Sequence, residues 1–182
     1  ITDDIYEHIL WSQDPFVNIL NVCPELREQT LIVNGVSKAY AMTGWRIGYA
    51  AGPAHIIKAL KKIQSQSTSN PCSISQAAAA TALSGDQSCL KTMLTAFKER
   101  HDFVVKRVNS IKGLSCLEGD GTFYAFIDAQ EAIDNNAHLK DDVDLASMLL
   151  NDANVALVPG SAFGSPGCIR MSYAINIETL TK

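Results

Sequence analysis

Residues 29–51 constrain the chain most. Gln29 to Asn34 (QTLIVN) is a short apolar run with β-branched residues between polar neighbours, and it reads as a buried strand. It empties into Gly35-Val36-Ser37-Lys38. Arg46 then stands just ahead of a second apolar run, Ile47 to Ala51 (IGYAA), which also reads as a buried strand and is stopped by Gly52-Pro53. A lysine just past the C-terminal end of a buried strand sits where open α/β sheets place their ligands. Desolvation and neighbouring cations can make such an amine a usable nucleophile. On position alone, a surface lysine capping a strand is the simpler reading.

The surroundings of Lys38 shift that balance. An arginine close to a buried sheet edge needs an anionic partner, and the planar fork of Arg46 suits a phosphate. Gly44 and Gly48 are expected to allow tight backbone turns around such a ligand, and Ser37 offers a hydroxyl donor. A lysine able to form a Schiff base, beside a phosphate-binding Arg and Ser, is the minimum equipment for pyridoxal 5'-phosphate.

The remainder of the chain reads as helices and short strands. Pro53 suits the first turn of a helix through about Ser65, with Lys58, Lys61 and Lys62 on its wet face. Ser67 to Pro71 is turn-forming. Ser73 to Leu83 is Ala-rich and helix-forming, with Gly85 as a stop. From Gln87 to about Ile111, apolar residues recur at helical spacing and predict a long amphipathic helix of the kind that bridges domains. Beyond Gly113, Leu114–Leu117, Thr122–Ile127, Val155–Val158 and Cys168–Ala174 read as strands, and Val143–Asp152 as a helix. Gly121-Thr122-Phe123-Tyr124 marks a strand start. A compact α+β unit is expected there. The boundary is placed near residue 110, giving domains 1–110 and 111–182.

Composition excludes several classes. Of 182 residues, 47% are hydrophobic and 19% charged, which fits a globular protein rather than a disordered one. The net charge of −4, with no dense basic run, argues against nucleic acid, and no apolar run has membrane length. Five scattered cysteines without a CxxC pair fit a reducing compartment, so the chain is expected in the cytoplasm, with all five inert and semi-buried. His8, His55, His101 and His138 share no spacing with a nucleophile, and no metal site is expected. The chain opens on Ile1-Thr2-Asp3-Asp4-Ile5-Tyr6 as though on the end of a strand, and Ile177 to Lys182 reads as a helix cut short. A fragment is expected.

The run SKAYAMTGWRIGYAAGP closely resembles the cofactor-lysine signature of class I (fold type I) pyridoxal-phosphate-dependent aminotransferases, in the bacterial aspartate aminotransferase branch. ITDDIYEHI resembles that family's Asp-x-x-Tyr motif, STSNPCSISQ a loop near its dimer interface, and CIRMSYA its substrate-carboxylate motif. The resemblance implies the C-terminal part of a large three-layer α/β/α domain followed by a small α+β domain. It implies Asp3 on the pyridinium nitrogen, Tyr6 on the cofactor's ring oxygen, Lys38 as Schiff-base lysine and acid–base, Ser37 and Arg46 on the phosphate, and Arg170 on the substrate α-carboxylate. Some family members carry a serine three positions before the lysine, where this chain has Gly35, so the hydroxyl of Ser37 reaches the phosphate differently. The implied reaction joins an amino acid (aspartate) and a 2-oxo acid (2-oxoglutarate) in a homodimer, the fragment alone being inactive. The alternatives are a β-lyase, an aromatic or prephenate aminotransferase, and a non-catalytic dimerising fragment.

Overall fold

The computed structural model describes residues 1–181. The chain divides into two compact units, Ile1–Leu94 and the residues from Thr95 onward. The division falls inside the long helix foreseen from periodicity, upstream of residue 110.

The first unit is built on a three-stranded sheet. β1 (Thr2–Asp3) runs to α1 (Ile19–Val22) and a 3-10 segment (Pro24–Gln29), then to β2 (Ile32–Gly35), β3 (Gly48–Ala51), α2 (Ala54–Ser67), α3 (Ser73–Ser84) and the start of α4 (Ser88–Val108). The strand order is β1-β2-β3. β1 pairs parallel to β2, with Asp3 opposite Val33, and β2 pairs antiparallel to β3, with Gly35 opposite Gly48. α1 forms because Asn18 closes a capping box with Asn21. That side chain also donates to the buried carboxylate of Asp4. The expectation of a buried strand at 47–51 needs correction. Only Ile47 is buried, and all four residues of β3 are exposed, because α2 faces the strand across an open groove and does not pack down on it.

The second unit carries the C-terminal part of α4 and then β4 (Ser115–Cys116), β5 (Tyr124–Asp128), α5 (Gln130–Asp134), α6 (Asp142–Ala153), β6 (Val158–Pro159), β7 (Cys168–Ser172) and α7 (Ile177–Leu180). Its sheet is antiparallel in the order β4-β5-β7-β6. Alternation turns Ala125, Ile127 and Ile169 into the core and leaves Tyr124, Phe126 and Arg170 on the opposite face. Phe97, Val104, Val105 and Val108 of α4 add to the core. The strands read at 155–158 and 168–174 are shorter than expected. Lys182, the end of the terminal helical turn read from sequence, lies outside the described residues. Among the described residues no helix is long and apolar enough to cross a membrane. The cysteines also depart from expectation, since Cys72 and Cys89 are exposed and only Cys116 is fully buried.

Candidate active site

Strand direction gathers the candidate residues of the first unit. β1 and β2 run in parallel, so Asp3 and the turn holding Tyr6 leave the sheet at the same end as Gly35 and the segment that follows it. β3 runs the other way, so Arg46, just before it, arrives at that same end. Asp3, Tyr6, Ser37, Lys38 and Arg46 therefore share one end of the sheet. This is the C-terminal end of its two parallel strands, where α/β sheets bind ligands.

Local packing fixes the segment that carries Ser37 and Lys38. After Gly35 the backbone makes one helical turn, with Tyr40 N–H donating to the Val36 carbonyl at 3.3 Å and Ala41 N–H to that of Lys38 at 3.2 Å. Val36 and Ile47 bury themselves against Ala79 of α3, with Tyr40 and Met42 packed on the same cluster. Ser37 and Lys38 lie between these anchors and stay half-buried. Tyr40 is fixed further by its hydroxyl, which donates to Gln87 at 2.8 Å. Burial, then the nearness of Cys89 and Glu7, raises the pKa of that phenol. Gly35 suits this position, because a Cβ would stand a tight 3.0 Å from the Ile47 carbonyl oxygen where β2 and β3 close together.

The tight turns are not made by the glycines expected to make them. Ala41 and Arg46 take the left-handed conformation, at φ 53° and 56°, whereas Gly44 and Gly48 keep ordinary backbone angles. Arg46 caps the 3-10 turn Thr43–Trp45 and donates from a guanidinium nitrogen to the Thr43 carbonyl at 3.0 Å. It is exposed, so burial does not force an anionic partner on it. Asp3 accepts the Ile5 N–H at 3.2 Å in a local turn and is likewise exposed. Tyr6 is half-buried, and its carbonyl accepts from Ile9 N–H at 2.8 Å.

Arg170 belongs to the second unit. It sits on β7 opposite Phe126 of β5 and Val158 of β6. Its guanidinium carbon lies 4.4 Å from the ring centroid of Tyr124 and 4.4 Å from that of Phe163. The partners that a half-buried arginine demands are thus two aromatic faces. Neither ring was singled out in the sequence for this, because register and a turn bring them together, not spacing.

The donor set at the sheet end comprises an amine, a guanidinium, a carboxylate, a phenol and a hydroxyl. These match the aldehyde, phosphate, ring nitrogen and ring oxygen of pyridoxal phosphate group for group. Comparison with known proteins points the same way. The chain is 55% identical to the aspartate/prephenate aminotransferase of Nitrosomonas europaea over 98% of its own length and 46% of that protein's. It is 49% identical to an aspartate aminotransferase of Rhizobium meliloti, over 96% of this chain and 43% of the relative. The crystal structure of the aspartate aminotransferase from Rhizobium meliloti superposes with a TM-score of 0.91 at 48% identity, covering 98% of this chain and 46% of that one. The aromatic aminotransferase of Pyrococcus horikoshii does so with a TM-score of 0.88 at 34% identity, covering 98% and 47%. The chain therefore spans about half the length of the relatives it matches, and it corresponds to the C-terminal half of their fold. The model of aminotransferase class I and II matches residues 1–182, and the chain belongs to that family.

Proposed function

We propose that the full-length protein catalyses transamination between an amino acid, aspartate first, and a 2-oxo acid, 2-oxoglutarate first, with pyridoxal phosphate. The observation that carries this reading is the convergence of Asp3, Tyr6, Ser37, Lys38 and Arg46 on one sheet end. The cofactor, when bound, supplies an electron sink for the substrate's α-carbon. Lys38 Nζ would hold it covalently, and the same amine would serve as the base and acid that takes up and returns the substrate's α-proton. The Asp3 carboxylate keeps the ring nitrogen protonated. The Tyr6 hydroxyl donates to the ring oxygen, and the Arg46 guanidinium and Ser37 hydroxyl bind the phosphate. Arg170 grips the α-carboxylate through two N–H donors. The 182-residue chain, which lacks more than half the length of its relatives, is proposed to be inactive alone.

Prephenate is the second acceptor to test, because the Nitrosomonas europaea relative is an aspartate/prephenate aminotransferase. We place the full-length protein in the cytoplasm as a homodimer. Support for a reducing compartment comes from the five cysteines of this chain, all of which are free.

The test is borohydride reduction of the cofactor-loaded full-length enzyme followed by peptide mass mapping. The cofactor mass is expected on the peptide carrying Lys38, and Lys38→Ala is expected to lose both that adduct and transamination. An adduct on another lysine, with activity intact in Lys38→Ala, would remove Lys38 from this role.

A further inference from the structure

We propose that Tyr124 and Phe163 form an aromatic clamp that positions Arg170 for a planar carboxylate. The inference rests on the reading of Arg170 as the carboxylate-binding residue and adds what holds it in place. Tyr124 and Arg170 come from neighbouring strands and share the open face of the sheet. The register sets Phe126 directly opposite Arg170 and Tyr124 one diagonal step away. Phe163 arrives from elsewhere, at the end of the 3-10 turn Gly160–Phe163 that follows β6. Each ring lies 4.4 Å from the guanidinium carbon, well inside the range of a cation–π contact. Phe126 meets Phe163 edge-on at 6.2 Å and supports that ring from the side.

The turn that carries Phe163 is itself fastened to a buried charge. Asp142, at the start of α6, is 1% exposed. Its carboxylate accepts the N–H of Ser161 at 2.8 Å and that of Gly167 at 3.2 Å, at the two ends of the loop that holds Phe163. Gly167 takes φ +79°, a conformation that L side chains rarely adopt, so the turn that presents its N–H to Asp142 favours glycine. Phe163 is thus presented by a fixed loop although its own side chain is 48% exposed.

Contact with ring faces occupies the π surface of the guanidinium and leaves its N–H edge to donate. A side chain with many rotamers loses most of its freedom before a ligand arrives, so less ordering is left to oppose binding. The rings also take part of the water's place on the guanidinium faces, which strengthens its attraction for an anion. Among the described residues no side-chain hydrogen bond or ion pair engages the Arg170 guanidinium, so that edge is not committed to a carboxylate within the fold. An acceptor with two coplanar oxygens, the carboxylate of an amino or 2-oxo acid, fits a donor fork held in this way.

The test uses the cofactor-loaded full-length enzyme. Tyr124→Leu and Phe163→Leu are expected to raise KM for both the amino acid and the 2-oxo acid about five- to tenfold, with kcat within twofold. Tyr124→Phe and Phe163→Tyr keep the rings and are expected to restore wild-type KM. In NMR spectra, the Arg170 Nε–H resonance is expected upfield in wild type from ring currents and displaced downfield in both Leu variants. Arg170→Lys checks the underlying reading, because an ammonium cannot offer a planar fork, and it is expected to raise KM more than either Leu variant. Unchanged KM in Arg170→Lys would overturn the carboxylate reading. Raised KM in Arg170→Lys with KM unmoved in both Leu variants would overturn the clamp alone. A fall in kcat and melting temperature without a KM effect would show the rings to be structural and would also overturn it.

Discussion

Arg46 shows how one residue carries both cost and purpose. A non-glycine residue in the left-handed region loses about 1–2 kcal/mol to the approach of its Cβ and the next carbonyl. Arg46 accepts that conformation, at φ 56° and ψ 46°, immediately before buried Ile47. The strain persists because the neighbouring anchors over-determine the turn. Arg46→Gly is therefore expected to raise the melting temperature by about 2–4 °C while weakening cofactor binding at least tenfold. Arg46→Ala is expected to lose the same binding without the gain, since its Cβ keeps the strain. Thermal unfolding and cofactor titration of both variants check this. Equal melting temperatures for the two would show that the turn stores no strain. The cation before a strand was legible in sequence, but the strained backbone was not, because nothing local distinguishes a left-handed Arg46 from a left-handed Gly44. Tyr124 and Phe163 were missed for a related reason. Their meeting depends on strand register and on a loop fixed by Asp142, neither of which has a short-range signature.

The element that governs the second unit's open face is the junction of α6 with the loop before β7. Burial opposes ionisation of Asp142, yet the N–H groups of Ser161 and Gly167 outweigh it and hold its pKa below the ordinary 3.8. The start of α6 adds the favourable end of a helix dipole. A carboxyl whose folded pKa is depressed contributes stability above its unfolded value and loses it as pH falls through the folded one. The loss is thus expected to begin below about pH 4. Asp142→Asn at neutral pH removes the charge and sets a donor against one of the two N–H groups, at a cost of about 2 kcal/mol. It is expected to show a flatter stability profile between pH 5 and about pH 3 than wild type, measured by urea unfolding. Equal slopes would assign the acid sensitivity to another group. The helix itself was legible from its apolar spacing to within a residue or so. The short α5 was not, because five residues, Gln130 to Asp134, are too few to display a period.

At the scale of the molecule, periodicity identifies which faces are apolar but cannot say which of them are covered. IGYAA reads as a buried strand, yet in the first unit it remains open, and so do apolar residues of α2. Tyr49 and Leu60 are each 41% exposed and Ile63 is 68% exposed. With Val33 and Ile57 they line a groove of about 580 Å³ between α2 and the strands β2 and β3. A contiguous apolar surface of this kind on one chain is a binding site for apolar dyes and lowers solubility. The 182-residue chain is therefore expected to enhance the fluorescence of anilinonaphthalene sulfonate while retaining a cooperative thermal transition. Ile63→Lys places a charge at a position that already meets water, so it costs the fold within about 0.5 kcal/mol. It is expected to cut the dye signal by about half and to raise solubility. A dye signal unchanged in Ile63→Lys, or one that appears only as the thermal transition is lost, would trace the fluorescence to loosened packing elsewhere and not to this groove.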